Sequence, residues 1–187
     1  MKNILFVASE CVPFVKTGGL ADVVGSLPKY LDKEQFDVRV MLPKYMMIPD
    51  KFKENMQYKT HFYMELNWRS QYVGVLETVV DGITFYLIDN EYYFGGMSPY
   101  GNIYEDIEKF AFFSRACLSA LPVIGFRPDI IHCHDWQTGL VPVYLHDSFQ
   151  GGEFFRGIKT IMTIHNLKFQ GIWDKKTVKN ITGLGDY

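Results

Sequence analysis

The chain opens on a short unbroken apolar run, "NILFVA" (3–8), that stops at Ser9 and Glu10. A run of that length with no alternation predicts a strand covered on both faces of a parallel sheet. From Leu20 the apolar positions change period and recur at Val23, Val24, Leu27 and Leu31, the one-sided stripe of a helix packed on a sheet. Pro28 falls inside this stripe and cannot donate to the carbonyl of Val24, which predicts a kink or a tightened turn. "DVRVMLP" (37–43) predicts a second strand. The runs 56–66, 72–80 and 83–88, rich in Tyr, Phe, Val and Thr, predict an antiparallel insert with a tight hairpin at Asp81 and Gly82. A loop over 90–102 leads to a helix over 103–121, whose face is marked by Ile107, Phe110, Ala111, Ser114, Leu118 and Leu121. "DIIHCHD" (129–135) predicts a strand with a polar end. A helix is expected over 137–147, with Pro142 awkwardly placed, and a last strand over 159–166. Strands alternating with helices predict an α/β fold, a doubly wound and mostly parallel sheet carrying an antiparallel hairpin insert. One domain over 1–187 is expected, and its closing "VKNITGLGDY" shows no further helix or strand, so the chain reads as truncated.

Composition narrows the function classes. With 48% hydrophobic and 16% aromatic residues and a formal net charge of -2, the 187-residue chain is that of a folded protein. No cluster of Lys and Arg offers a nucleic-acid footprint, and no apolar stretch nears the roughly 20 residues that span a bilayer. No nucleic-acid partner and no membrane association are therefore expected. Ser9 and Glu10 end the first apolar run too early for a secretory signal. Cys11, Cys117 and Cys133 form an odd set without paired spacing, so a reducing compartment, the cytoplasm, is expected.

Ligands of an open parallel sheet sit beyond the carboxyl ends of its strands, where strand order reverses. The unusual residues lie at three such ends: "SECVPFVKTGG", "HDWQTG" and "HNLKFQG". In the first, Gly18 and Gly19 let a ligand approach the backbone, the following helix aims free N–H groups at it, and Lys16 adds a charge, as an anion site would. A plain tight turn with a solvated lysine reads equally well. In the second, a metal site at "HCHDW" lacks support, because His132 and His134 share one face of a strand, Cys133 faces the other way, and no second Cys/His pair follows. Asp135 and Trp136 can accept sugar hydroxyls and offer an apolar face, or they can cap the next helix and pack. In the third, His165 and Asn166 end an apolar strand as hydrogen-bond partners for a hydroxylated ligand. Among the loop aromatics Tyr100 stands out, following Pro99 in a glycine-bearing loop.

Together, "KTGGLADVVGSLP", "SECVPFVK", "HCHDWQTGLVPVYL" and "TIHNLKFQG" resemble the N-terminal domain of bacterial glycogen synthase and plant starch synthase, retaining glucosyltransferases of GT-B architecture. The resemblance runs from Met1 to about Gly171. It implies a Rossmann-like N-terminal half of a GT-B fold, an ADP-glucose donor, an α-1,4-glucan acceptor, and no metal or cofactor. Lys16, Gly18 and Gly19 would bind the nucleotide diphosphate. Asp22, Tyr100, Asp135, Trp136, His165 and Asn166 would surround the glucose and the acceptor, with His165 and Asp135 as candidate catalytic residues. The family draws an arginine, a second lysine and a glutamate from a C-terminal nucleotide-binding domain whose motifs are absent here. This piece alone is therefore expected to have little or no transferase activity. A non-catalytic module binding glucan or nucleotide sugar, and another nucleotide-sugar transferase of the same architecture, are the competing readings.

Overall fold

The computed structural model describes residues 1–185; Asp186 and Tyr187, the last two of the domain expected over 1–187, lie outside them. Strand β1 (Lys2–Val7) pairs in parallel with β2 (Phe36–Pro43) on one side and with β6 (Ile130–His134) on the other. Its last four residues are fully or almost fully buried, as an unbroken apolar run requires when both faces are covered. Three further strands, β3 (Gln57–Leu66), β4 (Arg69–Val80) and β5 (Ile83–Asp89), form the antiparallel ribbon. Asp81 and Gly82 turn β4 into β5 with both φ angles positive, the backbone of a two-residue primed turn. β5 also runs parallel to β2, so the ribbon is grafted into the main sheet. β7 (Lys159–Thr163) joins β6 in parallel, giving a seven-stranded order β3-β4-β5-β2-β1-β6-β7.

The chain leaves β1 toward β2 by way of helix α1 (Gly19–Tyr30) and reaches β6 by way of helix α4 (Ile103–Ile124), in opposite directions across the sheet. Right-handed crossovers running in opposite directions set these helices on opposite faces. α1 runs through Pro28 and stops two residues later, at Tyr30. It packs so closely that a β-carbon at Gly25 would lie 2.3 Å from Val12 Cγ2. α4 starts where Asn102 accepts the N–H of Glu105 and ends at a left-handed Gly125. Its Phe110, Phe112, Phe113, Leu118 and Leu121 are buried, each burial worth roughly 2 kcal/mol of transfer free energy. Between them lie two single turns, α2 (Asp50–Lys53) and α3 (Glu91–Phe94).

Three expectations change. The helix expected over 137–147 is a 3₁₀ turn (Trp136–Thr138), a short α-helix α5 (Leu140–Tyr144) and a π turn (Leu145–Phe149). Pro142 falls in the opening turn of α5, where its missing N–H would have no intrahelical partner in any case. The last strand ends at Thr163 rather than 166, because His165 turns its N–H toward the Asp135 carboxylate. And the tail is not bare: α6 (Lys175–Thr182) begins where Asp174 accepts the N–H of Thr177 and ends at a left-handed Gly183, burying Ile181 and Thr182. Among the described residues no helix is long and apolar enough to cross a membrane.

Candidate functional site

The reversal of strand order falls between β1 and β6, and the segments beyond their carboxyl ends face one another there. Beyond β1, the buried Glu10 carboxylate accepts the N–H of Thr17 at 2.8 Å, the Thr17 hydroxyl at 2.6 Å and the N–H of Gly18 at 3.2 Å. Gly18 precedes α1 without a capping side chain, and Glu10 takes up the amides of Thr17 and Gly18 just ahead of the helix. The loop amides are therefore not all free, as an open anion site would have them. Lys16 pairs with Asp22 at 2.7 Å on the surface, with both side chains about half exposed. Neither Gly18 nor Gly19 has a positive φ, so the turn itself does not demand glycine. A β-carbon at Gly19 would meet nothing within 4 Å: open space lies against the backbone here.

Beyond β6, Asp135 has φ 58 and ψ 178, a region that side chains other than glycine's rarely enter. Hydrogen bonds from two loops hold it there. Its N–H donates to the Thr163 carbonyl at 2.9 Å, its carbonyl accepts from the Thr138 N–H at 3.1 Å, and its Oδ1 accepts the His165 N–H at 2.6 Å. The carboxylate thus anchors the β7 loop and does not cap the following turn. Trp136 meets Phe110 edge-on at 5.5 Å between ring centroids. Gly171, at φ 61, lies over the indole so closely that a β-carbon would be 2.1 Å from Trp136 Cε3. Trp136 therefore both packs and lines the cleft.

His132 and His134 stack 4.2 Å apart between centroids, as neighbours on one face of β6 should, and Cys133 is buried on the other. Among the described residues no group of three or more His, Cys, Asp or Glu side chains could hold a metal ion. His134 Nδ1 lies 2.9 Å from His165 Nε2. Burial, with help from His132 and His165, pushes the His134 imidazole down to about 3.

Tyr100 enters from the loop before α4. Its hydroxyl lies 2.7 Å from Ser9 Oγ, and burial raises its pKa, keeping it a neutral phenol able to donate. The loop is pinned by Asp106, which accepts the Gly101 N–H and the Lys109 ammonium.

These parts enclose a cleft of about 1150 Å³. Gly18, Gly19, Tyr100, Asp135, Trp136, His165 and Asn166 all line it, while Lys16 and Asp22 stand outside its lining. Glu10 and Asp106 also line it without having been singled out from the sequence, as do Lys168 to Ile172, of which the loop through Gly171 was marked but no residue within it. Glu10 carried a legible signal: an acid at a strand end, followed by a loop of amides that need an acceptor.

A model of the starch synthase catalytic domain matches residues 3–187. A glycogen synthase of Lachnoclostridium phytofermentans is 74% identical over 187 residues, all of this chain and 39% of the relative. One from Desulforamulus reducens is 51% identical over 184 residues, 98% of this chain and 38% of the relative. The solved catalytic domain of starch synthase IV from Arabidopsis thaliana, bound to ADP and acarbose, superimposes with a TM-score of 0.87 at 28% identity, covering 98% of this chain and 38% of that one. The chain thus spans about two fifths of the length of these relatives.

Proposed function

The chain belongs to the family of starch synthase catalytic domains, and from that premise we propose that it builds one wall of a retaining glucosyltransferase centre. That centre transfers glucose from ADP-glucose to the non-reducing end of an α-1,4-glucan. The observation that carries the reading is the meeting of three strand-end loops in one cleft at the sheet's switch point, within a chain 74% identical to a glycogen synthase.

Each wall residue has a task that its chemistry suits. Retention passes through a sugar with oxocarbenium character and a departing diphosphate, and fixed dipoles and charges stabilise both. The backbone at Gly18 and Gly19 leaves room for the diphosphate beside the start of α1. Lys16 leaves Asp22 to meet it, since an exposed pair of this kind holds by at most about 1 kcal/mol. Tyr100, Trp136, His165 and Asn166 offer donors, an acceptor amide and an indole face to glucose and acceptor hydroxyls. Asp135 acts by holding the His165 loop. The remaining cations for the diphosphate come from a C-terminal domain that closes over the cleft, so residues 1–187 alone give little or no transfer. Three buried cysteines without a disulfide suit a cytoplasmic setting.

The test uses the protein at its relatives' full length. It should elongate malto-oligosaccharide from ADP-glucose with an α-configured product, and Lys16→Ala should weaken ADP-glucose binding by roughly tenfold or more, the worth of a charge-assisted contact. Normal ADP-glucose affinity in Lys16→Ala would remove the phosphate role of the loop. Transfer from UDP-glucose in preference to ADP-glucose would point to a different donor class.

A further inference from the structure

His134 sits on β6 with no exposed surface, stacked against His132 on one side and tilted over Phe6, whose centroid is 5.2 Å away. It touches no ligand space, yet its Nδ1 lies 2.9 Å from Nε2 of His165, which lines the cleft, and the two rings are nearly parallel, 21° apart. Its other nitrogen, Nε2, is buried and has no hydrogen-bond partner among the described residues.

A neutral imidazole carries one N–H and one lone pair, and the His134–His165 contact must place a hydrogen on one side of it. Two arrangements exist. In the first, the proton of His134 is on Nε2, a buried N–H with no acceptor among the described residues, and Nδ1 accepts from His165. In the second it is on Nδ1 and donates to His165 Nε2, leaving only a bare lone pair buried at Nε2. Buried N–H groups left without an acceptor are rarer in proteins than buried acceptors left without a donor, which favours the second arrangement. His165 must then accept at Nε2 and carry its own proton on Nδ1.

We propose that His134 is a positioning residue that holds His165 in the neutral Nδ1–H tautomer, so that the donor of this cleft-lining ring is Nδ1 rather than Nε2. Backbone bonds fix the partner that His134 addresses. The His134 N–H donates to Thr138 Oγ1 at 2.7 Å, and the His165 N–H is tied to Asp135, so neither ring can slide along the contact. In the cleft, a donor at His165 suits a substrate oxygen that gains negative charge, which an acceptor would repel. That consequence rests on the transferase reading; the tautomer does not.

The experiment is a long-range proton–nitrogen correlation spectrum of the histidine-labelled chain near neutral pH, with His165 assigned through His165→Asn. The expected pattern is a protonated Nδ1 and an unprotonated, hydrogen-bonded Nε2 at His165. His134→Leu, which removes the donor, should shift His165 to Nε2–H or to a mixture. His134→Asn, whose side-chain amide can donate from near the same point, should restore the Nδ1–H pattern. A protonated Nε2 at His165 in the unaltered chain, an imidazolium pattern there, or an unchanged tautomer in His134→Leu would overturn the proposal. If His134→Leu does not fold, the unaltered chain and His134→Asn decide it. Failure of the full-length protein to use ADP-glucose would leave this result standing while removing the transferase reading.

Discussion

Asp135 shows how a single residue can hold a site together while sitting in unfavourable backbone geometry. Its φ of 58 with ψ 178 costs on the order of 1–3 kcal/mol for a residue with a β-carbon. The bond from its carboxylate to the His165 N–H returns a similar amount. Asp135→Ala keeps the strain and loses the bond, whereas Asp135→Gly loses both. Denaturant melts should therefore place the Ala variant roughly 1–3 kcal/mol below the Gly variant, and equal stabilities would show that the backbone is not strained there. His134 makes a second prediction at this scale. Its pKa falls from 6.5 unfolded to about 3 folded, so the unfolded chain takes up a proton that the folded chain refuses. Stability contributed this way is intact above pH 6.5 and is lost as pH falls from there toward 3, with a limiting slope of about 1.4 kcal/mol per pH unit. Burial lowers the His132 pKa too and steepens the same limb. His134→Leu should flatten the acid side of a stability–pH curve; an unaltered slope would assign acid unfolding to other groups.

At the level of elements, hydrophobic spacing was a good guide wherever one face is buried against a sheet. The stripe read from Leu20 does mark α1, but its buried face is Leu20, Ala21, Val24, Gly25 and Pro28, with Val23 and Leu27 exposed and Leu31 just past the helix end; the face from Ile107 to Leu121 lies in α4. The hairpin at Asp81 and Gly82 was legible because only a few residue types accept two positive φ angles in succession. α6 was not, since "KKTVKNIT" has too few apolar residues to show a stripe, although Asp174 before it and Gly183 after it are ordinary start and stop signals. The π turn after α5 and the bend after Thr163 were hidden for another reason: both answer to contacts with distant segments. The loop that follows β7 also had no periodicity, yet it covers Trp136 through Gly171. Gly171→Ala combines a left-handed φ with a β-carbon 2.1 Å from the indole, so the loop must lift. The expected result is a red shift of Trp136 emission and weaker glucan binding in the full-length protein. Emission and affinity both unchanged would mean that the loop absorbs the methyl group without moving.

Across the whole molecule, the switch between β1 and β6 was implicit in the order of strands and helices, and the cleft lies where that order places it. What the sequence could not carry was the pairing of charges within the wall. Lys16 with Asp22 and Glu10 with the loop amides are distances between neighbours in space, and no spacing along the chain encodes them. The same sheet has one more property. Among the described residues no strand pairs with the outer edge of β7, and Ile161, Met162 and Ile164 are each between 42% and 59% exposed. An edge strand with apolar side chains exposed on both faces is a template for another strand. The isolated chain should therefore self-associate as concentration rises, seen as growth in light scattering, and Ile161→Lys should suppress it by placing a charge on the edge. Handling this domain on its own is then a problem of colloidal stability, governed by five residues at one margin of the sheet rather than by the strength of its core.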